Sequence, residues 1–307
     1  MSKVTVFGSF VVDLMARTPH LPVPGETVKG TMFRMGPGGK GFNQAVAAHK
    51  AGADVTIVTK LGRDSFAQVA LNAMSELEMN QNGILYSEDS PTGCALISVD
   101  EKSGQNEIVI VPGALNTFNN AETDMLADTL ADSEYVLLQL EVNQDANERV
   151  AELAIKNGCK VILNSAPYAP VTDAFLSKCF MVTPNETEAE ALTGISIETD
   201  DDAVRAADYF HRRGVNIVLI TLGVRGVFYS DGVYHETIPA FSVKAIDTTG
   251  AGDAFNGGLL AALAEQKALP EAIRFGQGTA ALSVQKIGTT PAMPTRQEID
   301  DFLCTRD

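Results

Sequence analysis

Short apolar runs alternate with longer segments whose apolar residues recur at helical spacing, and this alternation leaves few folds open to the chain. The pattern predicts strands at residues 3–9, 53–59, 136–140, 160–164, 180–183 and 217–222. It predicts helices at 43–50, 65–78, 146–157, 186–193 and 201–213. Successive strands joined through a helix must run the same way, because the crossover returns the chain to the edge it left. The expectation is an α/β fold with three layers, a mostly parallel sheet carrying helices on both faces. A chain of 307 residues is near the upper limit for one core, and no linker interrupts it, so residues 1–307 read as one domain.

Two stretches break the rhythm. Residues 10–35 carry Pro19, Pro22, Pro24, Gly25 and Gly30, and residues 92–111 hold two strand-like runs around a turn at Asp100–Gly104. Strands without intervening helices form a small antiparallel sheet of their own, which would stand at the ends of the main strands as a lid.

The densest chemistry lies in Asp247-Thr248-Thr249-Gly250-Ala251-Gly252-Asp253. An alternating run, residues 238–246, predicts a strand before it, and residues 254–265 predict a helix after it. Small residues leave the NH groups of a helix start unobstructed, and the aligned peptide dipoles favour an anion there. Asp253 falls in the first turn beside that anion site. It is either a base for an attacking hydroxyl or simply a helix cap, and the stretch alone favours neither.

Three further motifs fall where strands end. Gly36-Pro37-Gly38-Gly39-Lys40-Gly41-Phe42-Asn43 offers a charge and an amide to a ligand rich in hydroxyls, though a tight turn would look the same. It is not a GxxxxGK[ST] phosphate loop, because no Ser or Thr follows Lys40. Thr183-Pro184-Asn185-Glu186-Thr187-Glu188 starts a helix, and Asn185 and Glu188 either cap it or help hold magnesium. Thr221-Leu222-Gly223-Val224-Arg225-Gly226 closes another strand. Asp13 and Glu141, each expected just past a strand, are candidates to accept hydrogen bonds from sugar hydroxyls. Ligands of open parallel sheets collect at the carboxyl ends of strands, so the shared location says more than any one motif.

A formal charge of −16 argues against nucleic acid and anionic membrane surfaces as partners. No signal peptide or spanning run is apparent, which predicts a cytoplasmic protein. Cys94, Cys159, Cys179 and Cys304 show no zinc spacing and read as reduced thiols, and the four histidines read as surface or packing residues.

Gly38-Gly39-Lys40-Gly41-Phe42-Asn43, Pro184-Asn185-Glu186-Thr187-Glu188 and Asp247–Asp253, in that order, resemble the phosphofructokinase-B carbohydrate kinases, most nearly their ribokinase branch. The resemblance covers nearly the whole chain, including Pro24-Gly25-Glu26-Thr27 and residues 269–275. It implies a ribokinase-like domain with a β lid that also makes a homodimer contact. It implies transfer of the ATP γ-phosphoryl group to the primary 5-hydroxyl of ribose or a ribose-like pentose. Asp253 then matches the base, and the NH groups of Gly250, Ala251 and Gly252 the anion hole. Val11, Asp13, Gly39, Lys40, Phe42, Asn43 and Glu141 match sugar positions. Asn185, Glu188, Thr221, Gly223, Gly226 and Gln277 match nucleotide positions, with Glu188 toward Mg2+, directly or through water. Asp247, Thr249, Ser283, Lys286 and Gly288 match a monovalent cation site for K+, in which Ala292 replaces a usual serine. The sequence departs from the branch at Val11, where an asparagine is usual, and at Phe42, where an alanine is usual. Losing an amide and gaining apolar bulk widen the candidates to 2-deoxyribose and other sugars or nucleosides. A non-catalytic sugar-binding regulator is the remote alternative, and the retained Asp253 argues against it.

Overall fold

The computed structural model describes residues 2–306. Among them thirteen strands run β1 (Lys3–Phe7), β2 (Val11–Thr18), β3 (Met32–Gly38), β4 (Asp54–Gly62), β5 (Ile84–Ser87), β6 (Cys94–Asp100), β7 (Asn106–Val111), β8 (Ser133–Leu138), β9 (Lys160–Leu163), β10 (Met181–Val182), β11 (Ile217–Thr221), β12 (Val227–Ser230) and β13 (His235–Ile238). The helices are α1 (Lys40–Lys50), α2 (Ser65–Glu76), α3 (Asn120–Asp124), α4 (Ala127–Ala131), α5 (Gln144–Lys156), α6 (Asp173–Leu176), α7 (Glu186–Thr193), α8 (Asp200–His211), α9 (Ala251–Ala264), α10 (Leu269–Ser283) and α11 (Arg296–Cys304).

Nine strands make the main sheet in the order β13-β12-β11-β10-β9-β8-β1-β4-β5. The seven from β11 to β5 are parallel, and β12 and β13 add an antiparallel edge. Alternate side chains leave a strand on opposite faces, so each strand feeds two cores. Val4, Val6, Leu137, Ile162 and Leu219 pack under α1, α9 and α10. Phe7, Val136, Leu138, Val161, Val218 and Ile220 pack under α5 and α8. The result is a three-layer α/β/α fold. The four-stranded second sheet has the order β3-β2-β6-β7, with antiparallel outer pairings and a parallel central one.

Asn185 shows why α7 begins where it does. Its side chain accepts from Glu188 N at 2.8 Å while Glu188 Oε2 accepts from Asn185 N at 2.9 Å, a reciprocal cap that satisfies two orphan donors.

The strand expected over 238–246 does not form. The ladder ends at Val227↔Ile238, Pro239 has no NH to continue it, and residues 239–246 are irregular. Ala240, Phe241, Ser242, Val243 and Ala245 instead line a cavity together with Phe255 of α9 and Gln277, Ala280 and Ala281 of α10. Asp13, expected just past the first strand, lies inside β2 of the small sheet.

Candidate active site

The carboxyl ends of β1, β8, β9, β10 and β11 open on the same side of the main sheet, and α1 and α9 meet there. The helices cross at Gly257, where a Cβ would stand 2.4 Å from Ala47 Cβ, 2.7 Å from Ala48 N and 2.7 Å from Gln44 O. Only a residue without a side chain permits that approach. The closeness brings Asp253 against α1, where its carboxylate accepts from Asn43 Nδ2 at 3.1 Å and Gln44 Nε2 at 2.9 Å.

Asp253 is buried at 6% exposure. Burial raises its pKa, with Glu141 adding to the effect, while Lys40 and the two amide donors pull it back. Asp13 is pushed up to about 6 by burial and by the charges of Glu141 and Asp253. Lys40 balances this acidic group: burial opposes its charge, but Asp253, Glu141 and Glu188 together hold its pKa above the ordinary value. Glu141 accepts from Lys40 N at 2.8 Å and from Ser9 Oγ. Three carboxylates and one ammonium from distant parts of the chain are therefore coupled in one cluster, a concentration of perturbed groups typical of functional sites.

Two cavities run away from this point and share Thr221, Thr248, Ala251 and Gly252. The inner one, about 170 Å³, is lined by Lys40, Asn185, Glu188, Asn256 and the turn Gly250–Asp253. Gly250 reaches the helix start in the left-handed region at φ 76°. Ala251 N bonds weakly to Thr248 O at 3.2 Å, while the NH groups of Gly250, Gly252 and Asp253 have no acceptor among the described residues. Such donors at a helix N-terminus are suited to a phosphate. Burial raises the pKa of Glu188, opposed by the Asn185 NH and Lys40. The outer cavity, about 450 Å³ and mostly apolar, is lined by Gly223, Gly226, Val243, Phe255 and Gln277 among others. Its depth and lining suit a flat aromatic base.

Asp247 sits behind the turn, accepting from Thr249 N at 3.0 Å and Gly288 N at 2.9 Å. Burial opposes its charge, but these NH donors hold its pKa below the ordinary value. The carbonyls of Thr249, Lys286 and Gly288 accept no hydrogen bond among the described residues, whereas that of Ser283 accepts from Lys286 N. A carboxylate beside free carbonyls is a donor set that fits a large monovalent cation. Ala292 is buried and has no side-chain oxygen to add.

Val11 and Phe42 occupy the core rather than the cavity wall. Val11 is 4% exposed, and Phe42 is fully enclosed with its ring edge-on to Phe10 at 5.2 Å. Gly39 is the N-cap of α1, so the backbone beside Lys40 takes its direction there. Gln44, Asn164 and Asn256, absent from the residues chosen on sequence, are all buried at the site. Apart from hydrogen bonds, nothing distinguishes them from ordinary core polar residues. No group of three metal-ligating His, Cys, Asp or Glu occurs among the described residues. There too, no helix is long and apolar enough to cross a membrane.

Fold and site together define a phosphotransferase that acts on a carbohydrate hydroxyl, and the chain belongs to the pfkB family of carbohydrate kinases, whose model matches residues 1–296. It is 43% identical over 300 residues to a ribokinase of Haemophilus influenzae, covering 98% of both chains. It is 34% identical over 301 residues to a deoxyribokinase of Salmonella typhimurium, again covering 98% of both. The crystal structure of a Thermotoga maritima ribokinase superposes with a TM-score of 0.91 at 35% identity, covering 99% of this chain and 100% of that one. An Arabidopsis thaliana ribokinase complexed with ribose and ATP superposes with a TM-score of 0.93 at 31% identity, covering 99% of each chain.

Proposed function

We propose that the protein transfers the γ-phosphoryl group of ATP to the primary 5-hydroxyl of ribose or a ribose-like pentose. The observation that carries this reading is that Lys40 and Asp253 line the phosphate-sized cavity while Asp13 and Glu141 lie close enough to couple to them electrostatically. Asp13, Asn43 and Glu141 hold the sugar hydroxyls, and Asp253 takes the proton of the attacking one. The free NH groups of the 250–253 turn and the Lys40 ammonium receive charge from the transferring phosphoryl group. Phosphoryl transfer asks chiefly for this positioning and charge neutralisation. The outer cavity takes the adenine, with Gly223, Gly226 and Gln277 on its wall.

Asn185 and Glu188 are the oxygen donors that would hold Mg2+, through water, and the ion would neutralise phosphate charge there. Asp247 with the Thr249, Lys286 and Gly288 carbonyls would hold K+, Ser283 contributing less because its carbonyl is engaged. Phe33, Met35, Leu96, Val109 and Val111 share one face of the small sheet by register and are 46–66% exposed. That face supports a homodimer through the lid. A cytoplasmic setting goes with an ATP-consuming reaction.

A second pentose, 2-deoxyribose, is favoured by Val11 in a different way from that expected: its side chain packs into the core, so the position supplies no amide to a ring hydroxyl. The test is a panel of sugars with ATP and Mg2+, comparing kcat/KM for ribose and 2-deoxyribose. Phosphorylation of neither pentose refutes the reading, and so does an Asp253→Asn enzyme that keeps near-wild-type kcat, since a positioned base contributes about 10²- to 10⁴-fold.

A further inference from the structure

Behind Asp253 lies a closed circuit of buried side chains. Gln44 Nε2 donates to Asp253 Oδ1 and to Asn164 Oδ1, both at 2.9 Å. Asn164 Nδ2 donates to Thr183 O at 2.9 Å, and Thr183 Oγ1 donates to Asn256 Oδ1 at 2.7 Å. Asn256 Nδ2 then donates to Gly252 O at 2.8 Å, and Gly252 is covalently joined to Asp253. Gln44 is anchored from outside the circuit, because its Oε1 accepts from Gln139 Nε2 at 2.7 Å. Gln44 and Gln139 are both wholly enclosed.

Amide orientation follows from this connectivity. Gln139 presents an NH2 to Gln44, so Gln44 must present its oxygen to Gln139 and its NH2 to Asp253 and Asn164. Both hydrogens of that NH2 are then used, which fixes the side chain in one rotamer and one flip. The carboxylate is thereby tied to the ends of β8, β9 and β10 at one oxygen, while the peptide before it is tied to β10 through Asn256.

We infer that Gln44, held by Gln139, is a positioning residue for the base: it fixes the Asp253 carboxylate relative to the Gly250–Gly252 turn. The inference rests on the function proposed above. The charged groups facing Asp253 are Lys40 from α1, Asp13 from β2 and Glu141 beyond β8, with Glu188 of α7 acting through Lys40. Burial and Glu141 favour the protonated form, so a lost amide donor leaves Lys40 and Asn43 to oppose them.

The experiment is the pH profile of kcat for Gln44→Met and Gln139→Met beside wild type and Asp253→Asn. Gln139 reaches the carboxylate only through Gln44, so its replacement separates positioning from contact. Expected for Gln44→Met is a kcat lowered about tenfold or more, with the acid limb moved up by about one pH unit and the KM values for sugar and ATP within about threefold. Gln139→Met shifts the limb in the same direction by less. Its methionine fills the same volume, so it serves if Gln44→Met does not fold. An unchanged acid limb with kcat within about twofold of wild type, in either folded variant, overturns the inference. If Asp253→Asn is inactive in that series, the proposed chemistry still stands. An active Asp253→Asn instead removes the function reading and this inference with it.

Discussion

Gly257→Ala converts the crossing of α1 and α9 into a measurable strain. The added methyl would sit 2.4 Å from Ala47 Cβ and 2.7 Å from both Ala48 N and Gln44 O, whereas ordinary contacts begin at 3.4 Å. Two of the three obstacles are backbone, so no rotamer change relieves them, and the helices must part by about 1 Å. Overpacking of this kind costs about 1–3 kcal/mol, which in a chain of this size lowers Tm by about 2–5 °C. The larger consequence is chemical. Asn43 and Gln44 ride on α1, so their bonds of 3.1 and 2.9 Å to Asp253 stretch beyond hydrogen-bonding range. A 1 Å misplacement of reacting groups costs about 100-fold in rate. Calorimetry and steady-state sugar phosphorylation would be measured on the same preparation. A variant with wild-type Tm and wild-type kcat would refute the claim that the helix approach sets the base.

Gly252→Ala is the complementary case. Nothing lies within 4 Å of its Cβ, and a positive φ is not required there. Thermal stability should hold within about 0.5 kcal/mol, since the residue lies in a helix. The methyl borders the inner cavity, so KM for ATP should rise about tenfold or more, and unchanged ATP kinetics would argue against the turn as the phosphate site. Asp13→Asn should stabilise the free protein. Its folded pKa of about 6 lies above the ordinary 3.8, so wild type loses stability as pH rises from about 4 through 6, and the variant does not. The gain at pH 7.5 is roughly 1–3 kcal/mol by denaturant titration, accompanied by a weakened sugar KM. An equal Tm difference at pH 4 and pH 7.5 would exclude this cause. Replacing potassium by a large organic cation should lower kcat severalfold, and Asp247→Ala should remove the difference between the salts. Equal rates in both salts for the unmodified enzyme would dismiss the cation site.

How much was legible in the sequence depended on whether the signal was local. Glu186–Thr193 was predicted to its end residues, because Asn185 and Glu188 cap one end and Gly194 closes the other in the left-handed region. The site motifs were legible for a related reason: glycines and short polar residues at strand ends serve backbone needs that neighbouring residues reveal. Residues 239–246 misled because apolar alternation is also compatible with irregular chain, and the backbone partner that is missing after Pro239 is not written in the pattern. The β12–β13 hairpin and α10 and α11 were passed over, the first for its short runs and α10 because it is apolar on most sides, whereas α11 did carry a local signal in the Thr295–Glu298 capping box. Gln44, Gln139, Asn164 and Asn256 were invisible for a deeper reason. Each is a single amide whose partners lie far away in the chain, and only the assembled fold brings their donors and acceptors together.

The central place of β1 bears on when the enzyme becomes competent during its synthesis. Strand β1 is made before both of its neighbours, β4 and β8, so one flank stays bare until residue 133 has been made. Asn43 donates one amide hydrogen to Asp253 and accepts from Thr290 Oγ1 on its oxygen, a bond spanning 247 residues. A nascent chain can therefore complete much of its sheet while its catalytic centre is unfinished. The Asn43–Thr290 bond cannot form until residue 290 has been made, and translation products shorter than that are expected to consume no ATP.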